Sequence, residues 1–122
     1  MSITEDQWKA IKAALNEEYT NARSCLGTNA SELYRNAREN EIEDAFITGM
    51  KKKTKALYNK NTIDENLQGV IDSNLGFIFR TLYYSESSGI AFTTIKKLLD
   101  AELKTLLRTV RPVEPNKSSP YN

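Results

Sequence analysis

The sequence predicts an all-α fold, a compact antiparallel bundle of about four helices. Apolar residues recur in steps of three and four along four long segments, three of which open on residues that cap helix N-termini. No strand-like alternation competes with these helical patterns. The chain has 122 residues, 39% hydrophobic and 27% charged. That length suits one domain able to bury a core of its own, and the balance is that of a globular protein. Residues 1–110 are read as the bundle and residues 111–122 as a disordered tail.

The first helix opens at Thr4-Glu5-Asp6-Gln7, a capping box in which Thr4 is the N-cap and Gln7 reaches back. Trp8, Ile11, Leu15, Tyr19, Ala22 and Leu26 then mark one face, and Gly27 supplies a C-terminal stop. Asn29-Ala30-Ser31-Glu32 begins the second helix by the same logic, with Leu33, Tyr34, Ala37, Ile42, Phe46, Met50 and Leu57 on its stripe. The weak step from Asn36 to Asn40 leaves a kink or a split in this helix open, and Asn59-Lys60-Asn61 is the turn that follows.

Thr62-Ile63-Asp64-Glu65 is a third capping box. The helix behind it carries Ile63, Leu67, Val70, Ile71, Leu75, Ile78 and Leu82 on one side. Phe77, Phe79, Tyr83 and Tyr84 add apolar surface around the rest, so this helix is expected to be the buried centre. Ser85 to Gly89 reads as a loop. Thr93 or Thr94 is expected to cap a fourth helix with Ile95, Leu98, Leu99, Leu103, Leu106, Leu107 and Val110 inward, ended by Pro112. Gly89 to Phe92 is the least helical stretch before it, short enough to pass for an extended piece.

Composition narrows the chemistry. Histidine is absent, which removes imidazole general bases, catalytic triads and imidazole metal sites. Cys25 is the only cysteine, so it has no partner within the chain, and a reducing, cytoplasmic location is expected. Met1 to Asp6 has no apolar run and no stretch is long enough to span a bilayer, so neither a secretory signal nor a membrane contact is expected. No catalytic residue, cofactor or metal is assigned, and the chain is read as a non-enzyme.

Four constellations of residues bear on function. Glu39, Glu41, Glu43 and Asp44 could share a hard cation through neighbours four apart, but a solvated acidic face explains them more simply. Helical magnesium-dependent nucleotide pyrophosphatases use two acidic pairs on successive helices. Glu41 and Asp44 make one such pair, whereas Asp64, Glu65 and Asp72 do not make the other. Lys51, Lys52, Lys53, Lys55 and Lys60 offer phosphate contacts for a nucleic acid. They spread around their helix, and the formal net charge is only +1.

Gly69, Ser73 and Gly76 form a small-residue face at four- and three-residue spacing. Helical glycine is costly, so this face suggests close packing, either within the chain with Gly49 opposite or against a partner. Arg80, Tyr83 and Tyr84 add residue types enriched at binding hot spots. The phenylalanines beside them are expected in the core, with one of the two tyrosines exposed. Gly69, Ser73, Gly76, Arg80, Tyr83 and Tyr84 are therefore the expected contact residues of a protein-binding or self-associating helical module. A cleft for a small anion or nucleotide around Arg80 is the first alternative, and nucleic-acid binding through the lysines is the second. The Asn- and Lys-rich composition is compatible with a bacterial or phage source.

Overall fold

The computed structural model describes residues 2–25, 35–85 and 89–110. Within them lie five helices: α1 (Glu5–Cys25), α2 (Arg35–Asn59), α3 (Glu65–Ser73), α4 (Leu75–Tyr84) and α5 (Gly89–Val110). No strand occurs among the described residues. The fold class is thus all-α, as expected, with one helix more than the sequence reading. Gly27, the cap at Asn29 to Glu32 and the tail 111–122 lie outside the described residues.

The capping box of α1 forms as read. The Gln7 amide donates to Thr4 Oγ1 (3.1 Å) while the Thr4 amide donates to Gln7 Oε1 (3.0 Å). The third capping box is displaced by two residues: Asp64, not Thr62, is the N-cap of α3, accepting from the Leu67 amide at 2.8 Å. The displacement has a cause in the preceding turn. The Thr62 amide donates to the Leu57 carbonyl, and Asn61 takes a positive φ of 64°. Asparagine tolerates that conformation, so the chain turns here before a new helix starts.

The largest departure is the division of the expected third helix into α3 and α4 at Asn74. There the backbone leaves helical geometry (φ −117°, ψ 15°), and Asn74 serves both helices. Its amide donates to the Ile71 carbonyl and its side-chain Nδ2 to the Val70 carbonyl (2.8 Å), ending α3. Its own carbonyl accepts from the Ile78 amide, starting α4. Asparagine and serine side chains offer the backbone alternatives to helical bonding, and Ser73 does so as well by donating to the Gly69 carbonyl. The split left open between Asn36 and Asn40 does not occur: those residues lie within one continuous helix, α2.

The fourth helix of the sequence reading starts earlier than expected. Gly89 to Phe92 is helical, and Thr93 and Thr94 are not caps. Their hydroxyls donate back to the Gly89 and Ile90 carbonyls, the usual way for threonine to satisfy itself inside a helix. This extra turn contributes Ala91 and Phe92 to the core.

The core is built from the predicted stripes. Ile11, Leu15, Tyr19 and Ala22 of α1 meet Ile42, Phe46 and Met50 of α2; Leu67, Ile71, Ile78, Phe79 and Leu82 of α3 and α4 meet Ile95, Leu99 and Leu103 of α5. Tyr19, Phe46 and Phe79 form an aromatic triangle joining α1, α2 and α4, with ring centroids 5.7–6.3 Å apart. The N-terminus is tied to α5 by the buried Ile3, whose amide donates to Asp100 Oδ1 at 2.8 Å.

The prediction that α4 is buried on most sides fails at Phe77 and Tyr84, which are 43% and 66% exposed. The inward side of α4 is already filled by Leu75, Ile78, Phe79 and Leu82, whose spacing leaves Phe77 pointing outward. No described helix is long and apolar enough to cross a membrane.

The two phenylalanines of α4 should therefore differ sharply. Phe79→Ala is expected to cost about 3–5 kcal/mol, as for a fully buried aromatic. Phe77→Ala should cost well under half of that. Urea denaturation of both variants checks the contrast.

Candidate functional site

The six expected contact residues do not share one surface. The break at Asn74 sends Gly69 and Ser73 of α3 toward α5, and Gly76, Arg80 and Tyr84 of α4 toward α2. On the first side, Gly69, Val70 and Ser73 line a shallow groove of about 430 Å³ with Glu102, Thr105 and Leu106. A Cβ placed on Gly69 would meet nothing within 4 Å, so Gly69 does not serve close packing inside the molecule. At Gly76 a Cβ would make ordinary contacts with Glu43 and Arg80. Neither glycine is required by its neighbours.

The close approach that the sequence reading attributed to this face occurs elsewhere. Gly49 does not oppose Gly69 or Gly76 but faces α1, where a Cβ would overlap the Glu18 carboxylate. Glu18 is held there by Lys53, at 3.7 Å.

On the second side, α4 and α2 present a coherent surface. Arg80 Nη1 lies 3.4 Å from Glu43 Oε2 and donates to it. The Tyr84 hydroxyl contacts both carboxylate oxygens of Glu39 at 2.9 and 3.0 Å, a bridge across the two helices. Tyr83 is half-buried, stacked on Phe79 (5.3 Å between centroids) and edge-on to Tyr84 (5.2 Å). Of the two tyrosines, Tyr84 is thus the exposed one. Phe77 follows at one and two turns' distance along the same outer side as Arg80 and Tyr84, the spacing of one helix face. The sequence reading left Phe77 out because it assigned the phenylalanines to the core. Its place between Gly76 and the inward Ile78 was the available signal.

Two other expectations are altered by pairing. Glu39 and Glu43 of the acidic run are engaged by Tyr84 and Arg80, whereas Glu41 and Asp44 are exposed. No group of acidic or cysteine side chains among the described residues is arranged to hold a metal ion. The lysine cluster is divided: Lys53 leans on α1, 2.8 Å from Glu17, and that hydrogen bond lifts its amine above the ordinary lysine value. Lys51, Lys52, Lys55 and Lys60 are exposed. Lys51 also acts electrostatically on Asp72 of α3.

A second surface depression of about 390 Å³ lies along α1, lined by Glu5, Asp6, Trp8, Lys9 and Lys12. Lys12 also covers the Phe92 ring of α5, 5.3 Å from its centroid. The charges that line this depression have both signs and sit on exposed side chains.

No protein family model, curated protein or solved structure matches this chain.

Because Gly69 is exposed and unopposed within a helix, Gly69→Ala should stabilise the domain by roughly 0.5–1 kcal/mol through helix propensity and lost unfolded-state freedom. Chemical denaturation checks it. A loss of stability would show that the backbone at Gly69 is constrained in a way its open surroundings do not suggest.

Proposed function

We propose that this chain is a non-enzymatic helical interaction protein, of the inhibitor, immunity or assembly-factor kind, which binds a protein partner through the outward face of α4. The observation that carries the reading is the exposure of Phe77 (43%), Arg80 (54%) and Tyr84 (66%) along that one face. Aromatic and arginine side chains are the types most often responsible for binding energy at protein interfaces. Glu39 and Glu43 hold Tyr84 and Arg80 from the neighbouring helix, which lowers the conformational entropy lost when a partner docks.

In this reading the scaffold is an antiparallel bundle. The cross-links between helices support that arrangement: along α2, Thr54, Glu43 and Glu39 meet Asp72, Arg80 and Tyr84 in descending against ascending order. Ile3, just ahead of α1, and Lys12 of α1 likewise meet Asp100 and Phe92 of α5. A cytoplasmic setting fits the single cysteine.

The two alternatives draw less support. A small anion at Arg80 has to compete with the Glu43 carboxylate 3.4 Å away. A nucleic acid at the lysine cluster would find Lys53 committed to Glu17.

A photo-reactive phenylalanine at position 77 tests the reading, with the same residue at the exposed Lys104 as control. In lysate of the source cell, position 77 should yield a discrete cross-linked protein that position 104 does not. Adding Arg80→Ala and Tyr84→Ala should remove that product while leaving the circular dichroism spectrum unchanged, since exposed ion pairs contribute little stability. A product of twice the chain's mass would assign the face to self-association. Equal products from both positions, or none, would overturn the reading.

A further inference from the structure

The outer side of α2 carries a charge pattern that the face on α4 does not use. Glu41, Asp44, Thr48, Lys52 and Lys55 follow one another in steps of three, four, four and three. At about 100° per residue these five positions fall within an arc of about 80° on one helix face. All five are exposed, on the side of α2 away from the buried Ile42, Phe46 and Met50. The acids precede Thr48 and the lysines follow it, at matching intervals. Asp44 and Lys52 lie about 6 Å from it along the helix axis, and Glu41 and Lys55 about 10.5 Å. Read from either end, the stripe is the same with its charges reversed.

Nothing inside the described molecule answers these charges. Neither acid has a lysine three or four residues further along α2, the spacing at which helical charges pair. None of the four charged side chains makes an ion pair among the described residues, in contrast to Lys53 and Arg80. Like charges instead sit three apart, Glu41 with Asp44 and Lys52 with Lys55, which is mildly unfavourable within one helix. The helix dipole does not account for the order either. Its effect fades beyond the terminal turn, and all four charges lie more than one turn inside Arg35 and Asn59.

We propose that α2 pairs antiparallel with α2 of a second copy of this chain, about a two-fold axis through Thr48. In that arrangement Asp44 meets the partner's Lys52 and Glu41 meets the partner's Lys55, and the symmetry repeats both pairs. A parallel pairing would set like charge on like charge, so only the antiparallel one is self-complementary. The centre of the face is small, with Thr48 on the axis and the exposed Ala45 beside it. Small residues at a crossing allow two helices to approach to roughly 8–10 Å between axes. An interface built on exposed ion pairs is weak and screened by salt, so the pairing is reversible. It gives the acidic run and the lysines of α2 a counterpart in each other. The stripe is distinct from the face on α4, because the acids of α2 that α4 engages are Glu39 and Glu43. A second copy on α2 and a partner on α4 are independent of each other.

Sedimentation equilibrium of the full chain tests the pairing. In about 20 mM salt a monomer–dimer equilibrium is expected, weakening roughly tenfold or more by about 500 mM, where charges are screened within a few ångströms. Lys52→Glu with Lys55→Glu makes the stripe wholly acidic and should leave only monomer. Adding Glu41→Lys and Asp44→Lys exchanges the two blocks, restores complementarity and should restore the dimer. All four positions are exposed, so circular dichroism should be unchanged throughout. Thr48→Cys in a Cys25→Ser chain places a thiol on the axis. Mild oxidation should then link two chains in low salt and few in high salt, and Lys104→Cys should not link them. A chain that is monomeric at low salt overturns the proposal, including one that binds duplex DNA through Lys52 and Lys55 instead. So does a dimer untouched by Lys52→Glu with Lys55→Glu, or one that the exchanged variant fails to rebuild.

Discussion

The contact on which the rest of the molecule depends is the triangle of Tyr19, Phe46 and Phe79. Each ring comes from a different helix, so the three together fix how α1, α2 and α4 are placed against one another. Tilted and edge-on aromatic pairs add about 0.5–1.5 kcal/mol each beyond the area they bury, and their geometry is directional. Aliphatic residues around the triangle, among them Leu15, Met50 and Ile78, fill space with less orientational demand. Tyr83 continues the stack outward from Phe79, and Tyr84 continues it to the surface. The candidate binding face is in this way mechanically continuous with the centre of the core.

Asn74 has consequences beyond dividing a helix. Both short helices pack against α2 and α5, but their outer faces part: α3 borders a groove with α5, while α4 exchanges polar contacts with α2 at Glu43 and Glu39. A single straight helix would have carried Gly69, Ser73, Gly76 and Arg80 along one side. The break turns that stripe into two surfaces of different chemistry. One is small and shallow, with an open glycine; the other is aromatic and charged. Protein-binding hot spots favour the second kind.

The charged residues are organised mainly by helix pairing. Lys53 with Glu17 and Glu18, and Arg80 with Glu43, connect neighbouring helices at the rim of the core. Exposed pairs of this sort contribute little stability, but they set which side chains remain available to a partner. Thr54 and Asp72 differ from them because the hydroxyl is sealed from water.

Much of this fold was legible in the residues themselves. The spacing of Ile11, Leu15 and Tyr19, or of Ile95, Leu99 and Leu103, has only one helical face to lie on, and local periodicity states which side chains are buried. The Thr4–Gln7 cap was readable for the same reason, since both partners sit within one turn. Tertiary structure decided what depends on neighbours distant in sequence. Whether Asn74 interrupts a helix is a competition between local side-chain bonding and packing, and periodicity continues across it unbroken. That Gly69 stands open while Gly49 is crowded by Glu18 depends on which helix lies opposite. Phe77 faces solvent because Leu75, Ile78, Phe79 and Leu82 already fill the inner side of α4. Thr54 meets Asp72 only because α3 folds back on α2, eighteen residues along the chain. Periodicity is a property of one helix, whereas a surface is a property of two.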